Sequence, residues 1–120
     1  MENNSTDWRY TVMPAVFTWL KESESGALEI DFEVTKKYAA DILRVQGKGG
    51  TRMGGLVGSG TLGENSYLSA EQRLSLLKAL SEVAKEFNVP LISGAAAETK
   101  EELATIVKEL ATVGVDTVMV

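Results

Sequence analysis

The chain has 120 residues, 44% of them hydrophobic, which is enough for one domain with a modest core but too few for two. Its 17 acidic residues outnumber its 12 lysines and arginines, and the net charge of −5 argues against nucleic acid or an anionic membrane as the main partner. Histidine and cysteine are absent, so we expect no metal site, no disulfide and no thiolate nucleophile, and any catalysis must use carboxylates, lysines, hydroxyls or backbone groups.

The amino-terminal end is polar and acidic over residues 1–10, which predicts a solvated tail rather than a secretory signal. No apolar run in the sequence reaches the roughly 18 residues that a membrane-spanning helix requires. We therefore expect a cytoplasmic protein whose partner is neither a membrane nor a nucleic acid.

The segment after this tail starts with a strand pattern and continues with a helix pattern. Residues 11–20 are mostly apolar with β-branched members and predict a buried strand, and residues 21–29 form a polar connection. Asp31 then predicts the N-cap of a helix over about residues 32–46, which a group of glycines ends.

The next strand and helix flank a glycine-rich loop. Residues 54–59 predict a short apolar strand that runs into the loop, and Ser69 with Gln72 predicts the capping box of a strongly amphipathic helix. That helix extends to about residue 88. Residues 89–95 then predict a third strand.

The last predicted elements complete an alternating pattern. Thr99 predicts the cap of a third helix, Gly114 ends it, and residues 115–120 start a fourth strand. The order β-α-β-α-β-α-β without a linker predicts a parallel sheet with right-handed crossovers. Two architectures fit this pattern: a small open α/β sheet, or the first half of a (β/α)₈ barrel.

The glycine-rich loop contains a literal G-x-G-x-x-G at Gly58, Gly60 and Gly63. A dinucleotide-binding loop needs its helix to start within the glycines, but the cap predicted at Ser69 lies six residues beyond Gly63. The loop also follows the second predicted strand instead of the first, and no Lys-Ser/Thr pair follows it as in a phosphate-binding loop. The loop is therefore not interpreted as a nucleotide site.

The same stretch resembles the second βα loop of the dihydrodipicolinate synthase / N-acetylneuraminate lyase family of class I aldolases. That loop reads G-[TS]-T-G-E and then L-[ST]-x-E-[EQ]-R, and this sequence has GTLGE at residues 60–64 and LSAEQR at residues 68–73. Other stretches similar to the family's strand and helix motifs are VMPAVFT at 12–18, IDF at 30–32, VPLISG at 89–94 and GVDTVMV at 114–120. The resemblance implies an α/β fold in which residues 11–120 form the first four strands and three helices of a (β/α)₈ barrel.

The resemblance also implies a function and a site. Family members are lyases that condense or cleave 2-oxo acids, chiefly pyruvate, through a lysine Schiff base at the carboxyl ends of the strands, so no separate cofactor is expected. Thr61 would be the catalytic hydroxyl of a proton relay, and Gly60, Thr61 and the backbone N–H of Leu62 would bind the substrate carboxylate, with Thr18 nearby. Leu62 stands where the family usually has a polar residue, which fits either the hydratase-aldolase branch or a member with a decayed site. Trp19 replaces the family's usual proline, so the mouth of the first loop would differ.

The Schiff-base lysine of the family lies on the sixth strand, beyond residue 120 in this comparison. The lysines of this sequence fall on predicted loops or helices, where a solvated amine is mostly protonated and a poor nucleophile. We therefore expect that this chain by itself is not a Schiff-base aldolase, and the unpaired strands of a half barrel predict a homo-oligomer. Three interpretations remain: a fragment or truncated form of a lyase, a short protein that dimerises and binds a 2-oxo acid non-covalently, and a non-catalytic α/β protein.

Overall fold

The computed structural model describes residues 13–16, 18–45, 53–58, 69–95 and 97–119. Five strands and three helices are present in this part of the chain. In chain order they are β1 (Leu20–Glu22), β2 (Leu28–Ile30), α1 (Phe32–Leu43), β3 (Leu56–Gly58), α2 (Ala70–Glu86), β4 (Leu91–Gly94), α3 (Lys100–Thr112) and β5 (Thr117–Met119). None of the helices described is long and apolar enough to cross a membrane.

The three helices start at the caps that the sequence predicts. The Asp31 carboxylate accepts the N–H three residues on at 3.2 Å, and Thr99 does the same for α3 at 3.1 Å. At α2 the capping box is complete: the Ser69 hydroxyl accepts the Gln72 N–H at 3.1 Å, and the Gln72 side chain accepts the Ser69 N–H at 2.9 Å. Each cap satisfies backbone donors that the first helical turn leaves unpaired.

The main sheet is parallel, with β4 between β3 and β5. A fourth parallel segment, residues 13–16, lies on the other side of β3: Val57 donates to the Pro14 carbonyl at 2.9 Å, and Val16 donates to the Val57 carbonyl at 3.0 Å. Four parallel segments therefore lie side by side in chain order, which confirms the predicted parallel sheet.

The predicted polar connection over residues 21–29 is wrong, because β1 and β2 form an antiparallel hairpin there. The hairpin turns at Ser23–Gly26, where Gly26 donates to the Ser23 carbonyl at 2.9 Å and has a φ of +86°. Only glycine adopts this left-handed conformation without strain, so the turn depends on Gly26. The strands have three residues each, too few for an alternating pattern to stand out in the sequence.

The core lies between the helices and one face of the parallel sheet. Its buried apolar residues are Val16, Ile30, Ala39, Leu43, Leu56, Leu76, Leu77, Leu80, Val83, Ala84, Leu91 and Leu110. Burying a side chain of leucine size stabilises a fold by about 1.5–3 kcal/mol. At Gly58 a methyl group would lie 2.8 Å from Leu80 Cδ1 and 3.1 Å from Leu77 Cδ2, so glycine lets α2 pack close to the end of β3.

The opposite face of the parallel sheet is only partly covered. Residues in register on parallel strands point to the same side, and neighbours along a strand alternate. Leu56 and Leu91 point into the core, whereas Val57, Ile92 and Met119 point away from it. None of these three is buried, and Met119 is 47% exposed.

Candidate functional site

The carboxyl ends of the parallel segments meet at one edge of the sheet. Val16, Gly58, Gly94 and Met119 end the four segments there, in that order across the sheet. Loops and helix starts that follow parallel strands collect at such an edge, which is where ligands bind in α/β folds. The edge is therefore the candidate site.

Of the predicted site residues, the structure describes Thr18. Thr18 follows the first parallel segment and is buried, with 5% of its surface exposed. Gly60, Thr61 and Leu62 lie outside the described residues. On either side of them, β3 ends at Gly58 and the N-cap of α2 is Ser69.

The backbone directly after Thr18 is held by the start of α1. The Trp19 N–H donates to the Thr35 hydroxyl at 3.0 Å, and the Asp31 N–H donates to the Trp19 carbonyl at 2.7 Å. The Trp19 ring also meets the Tyr38 ring edge to face, with centroids 6.0 Å apart. Thr35 was not recognised from the sequence; the available signal was a polar residue on the otherwise apolar buried face of α1.

The β4–β5 part of the edge is formed mainly by backbone. The Ser93 side chain is fully buried and donates to the Gly94 carbonyl at 2.9 Å. The Ala95 N–H donates to the Met119 carbonyl at 2.9 Å and so extends the pairing of the two strands by one bond. Glycine at position 94 leaves the backbone accessible from the partly covered face of the sheet.

The carboxylates with shifted pKa values lie away from this edge. A hydrogen bond from Lys37, helped by the charge of Arg44, lowers the pKa of Asp41 on α1. A hydrogen bond from Lys36 lowers the pKa of Glu82 on α2 in the same way. Both groups are exposed members of ion pairs on the helices, so their shifts have a structural origin and do not mark a general acid or base.

The described lysines also lie off the parallel strands. Lys21 is exposed on β1 of the hairpin, and the others in the described part of the chain are on α1, α2 and α3; Lys48 is outside it. Among the described residues no group of three or more metal-ligating side chains is placed to hold a metal ion. A cleft of about 540 Å³, lined in part by Lys85 and Asp116, lies at the opposite edge of the sheet, where the strands begin.

The architecture defines the class of fold, because parallel strands in chain order with helices on one face form part of a (β/α)₈ barrel. Dihydrodipicolinate synthase DapA-2 from Bacillus anthracis superposes with a TM-score of 0.70 at 24% identity, over 92% of this chain and 35% of its own. A second dihydrodipicolinate synthase gives a TM-score of 0.71 at 28% identity, over 91% and 34%. YagE, a prophage protein of E. coli K12 solved in complex with pyruvate, gives 0.68 at 23% identity, over 91% and 33%. The chain spans about a third of the length of these structures.

The sequence itself assigns the family. The model of the dihydrodipicolinate synthetase family matches residues 25–120, and the chain therefore belongs to that family. No curated protein sequence matches it. The family and the partial barrel predicted from the glycine-rich loop and the strand motifs are thus confirmed.

Proposed function

We propose that this chain is the amino-terminal part of a lyase that condenses or cleaves 2-oxo acids, with pyruvate as the common substrate, through a lysine Schiff base. The family match over residues 25–120 carries this proposal. Two structural neighbours support a small-molecule site: YagE was solved in complex with pyruvate, and the synthase from Cyanidioschyzon merolae has lysine bound.

The substrate carboxylate is proposed to bind at the carboxyl edge of the sheet. A carboxylate needs several donors that converge on it, and glycines allow backbone N–H groups to approach closely. Gly60, Thr61 and the backbone N–H of Leu62 follow β3 directly, and Thr18 follows the neighbouring segment, so both loops start at one edge. Thr61 is proposed to serve as the proton-relay hydroxyl. Leu62 offers no side-chain donor, which fits either the hydratase-aldolase branch, whose members act on aromatic 2-oxo acids, or a member whose site has decayed.

The Schiff-base lysine is proposed to lie outside these residues. A Schiff base forms when a neutral amine attacks the substrate carbonyl and water leaves, so the amine must be desolvated or held near cationic groups that lower its pKa. The described lysines are on the hairpin and the helices, and the Lys36 ammonium is paired with Glu82 at 2.8 Å. The chain alone is therefore proposed to lack Schiff-base activity.

A second proposal concerns self-association. The face of the parallel sheet that carries Val57, Ile92 and Met119 is partly exposed, and β5 is paired on one side by β4. Exposed apolar sheet faces and open strand edges promote association. We therefore propose that the chain forms a homo-oligomer. The alternative function is that of a non-catalytic protein that self-associates and at most binds a 2-oxo acid.

The proposed role of Thr61 can be tested with two substitutions in the lyase that carries these residues. Thr61→Val removes the hydroxyl at nearly constant volume, and we expect kcat with pyruvate to fall about 100-fold or more, as when a positioned proton-transfer group is lost. Thr61→Ser keeps the hydroxyl and should retain kcat within about tenfold of the original value. A Thr61→Val enzyme with unchanged kcat would contradict the assignment.

A further inference from the structure

Both backbone polar groups of Trp19, its N–H and its carbonyl, are hydrogen-bonded to residues at the start of α1. Its N–H donates to the Thr35 hydroxyl at 3.0 Å, and its carbonyl accepts the Asp31 N–H at 2.7 Å. Asp31 is in turn the N-cap of α1, so the same short stretch that starts the helix also holds Trp19. These contacts join residues 12 to 16 positions apart in the sequence.

Thr35 is unusual in its surroundings. It is fully buried, on the helix face that also carries the buried Ala39 and Leu43. Valine has nearly the same shape and would fill this position without a hydroxyl. A buried hydroxyl is costly unless it is hydrogen-bonded, and an N–H left without an acceptor is costly in the same way. The bond between Thr35 and Trp19 satisfies both groups at once.

Thr18 lies between two fixed points. Val16, two residues before it, donates to the Val57 carbonyl at 3.0 Å and so belongs to the parallel sheet. Trp19, the next residue, is bound to α1. The backbone on either side of Thr18 is therefore held, by the sheet before it and by Thr35 and Asp31 after it.

We propose that Thr35 is a positioning residue of the candidate site: its hydroxyl holds the Trp19 backbone and thereby places Thr18 at the carboxyl edge of the sheet. This inference rests on the proposed function, in which Thr18 contributes to binding of the 2-oxo acid.

The test compares Thr35→Val, which removes the acceptor, with Thr35→Ser, which keeps it. Thr105→Val is the matched control, because Thr105 is an exposed helical threonine whose hydroxyl donates to the Glu101 carbonyl of its own helix, at 3.1 Å. Two quantities are measured in the lyase that carries these residues: hydrogen exchange of the Trp19 and Thr18 amides, and kcat and KM for pyruvate.

For Thr35→Val we expect Trp19 amide exchange to rise roughly tenfold and KM for pyruvate to rise about fivefold, with kcat within about twofold. Thr35→Ser and Thr105→Val should stay close to the original values. Two results for Thr35→Val would overturn the positioning role. One is faster Trp19 amide exchange with an unchanged KM for pyruvate, and the other is unchanged Trp19 amide exchange. If the original protein does not act on pyruvate, the proposed function fails, and amide exchange at Thr18 decides the inference: it must rise in Thr35→Val and return in Thr35→Ser.

Discussion

Gly114 joins α3 to β5 in a conformation that few other residues adopt. Its φ is +99°, in the left-handed region, and it follows the last helical turn as the sequence predicts for a helix-ending glycine. A side chain at this position would also collide with the Ser81 hydroxyl on α2, which is buried against the Gly114 backbone. Gly114 therefore serves two purposes: it turns the chain and it allows α2 and the end of α3 to pack together.

The energetic contributions of the backbone conformation and of the close packing at Gly114 can be separated with Gly26 as a control. Gly26 also has a positive φ, but an added methyl group there would have no atom within 3.4 Å. Gly26→Ala should cost about 1–2 kcal/mol of unfolding free energy, from backbone strain alone. Gly114→Ala should cost roughly 2–5 kcal/mol, because the collision with Ser81 adds to the strain. Urea denaturation of both variants measures the difference; equal losses would show that the Ser81 contact has no energetic weight.

At the scale of elements, α1 and α2 are linked across their exposed sides by one ion pair. Lys36 Nζ lies 2.8 Å from Glu82 Oε1, with 39% and 58% of the two side chains exposed. The hydrogen bond and charge of Lys36 lower the pKa of Glu82. A carboxylate whose pKa is lower in the folded state stabilises the fold above its unfolded pKa and loses that contribution as the pH falls through the folded value.

Lys36→Gln should therefore lower the urea midpoint at pH 7 by a small amount, as is usual for exposed pairs. The difference from the original protein should shrink as the pH falls below about 4.3, the ordinary pKa of a glutamate, and disappear below the lowered pKa of Glu82. Lys108→Gln on α3 is the control for loss of one positive charge. A Lys36→Gln difference that is the same at pH 7 and pH 3 would contradict an electrostatic origin.

The elements that were predicted correctly from the sequence are those stabilised by contacts between residues close together in the chain. Asp31, Ser69 and Thr99 cap their helices as predicted, because a cap involves residues three positions apart. The hairpin was missed, since its short strands gain stability from pairing with each other and from the turn at Gly26. Thr35 was missed for a related reason: its polar side chain on the apolar face of α1 marks the position, but its hydrogen-bond partner lies 16 positions away in the sequence.

At the scale of the whole molecule, the parallel strands follow the chain order of a barrel but cover one part of it. The edge that carries the candidate site was predictable, because parallel strands place their carboxyl ends together whatever the loops contain. The roles of Gly60, Thr61 and Leu62 depend on a family resemblance, and these residues lie outside the described part of the chain. The sheet face that carries Ile92 and Met119 is where further barrel strands or a second copy would pack.

We propose that these residues form the amino-terminal part of a Schiff-base lyase whose lysine lies outside residues 1–120. The most direct test is to incubate the protein isolated from its natural source with pyruvate, reduce with borohydride, and map any adduct by intact mass and peptide mass spectrometry. We expect one reduced pyruvate adduct on a polypeptide longer than this sequence, at a lysine outside residues 1–120. An adduct on a lysine within these residues would contradict it, as would a longer polypeptide that forms no adduct.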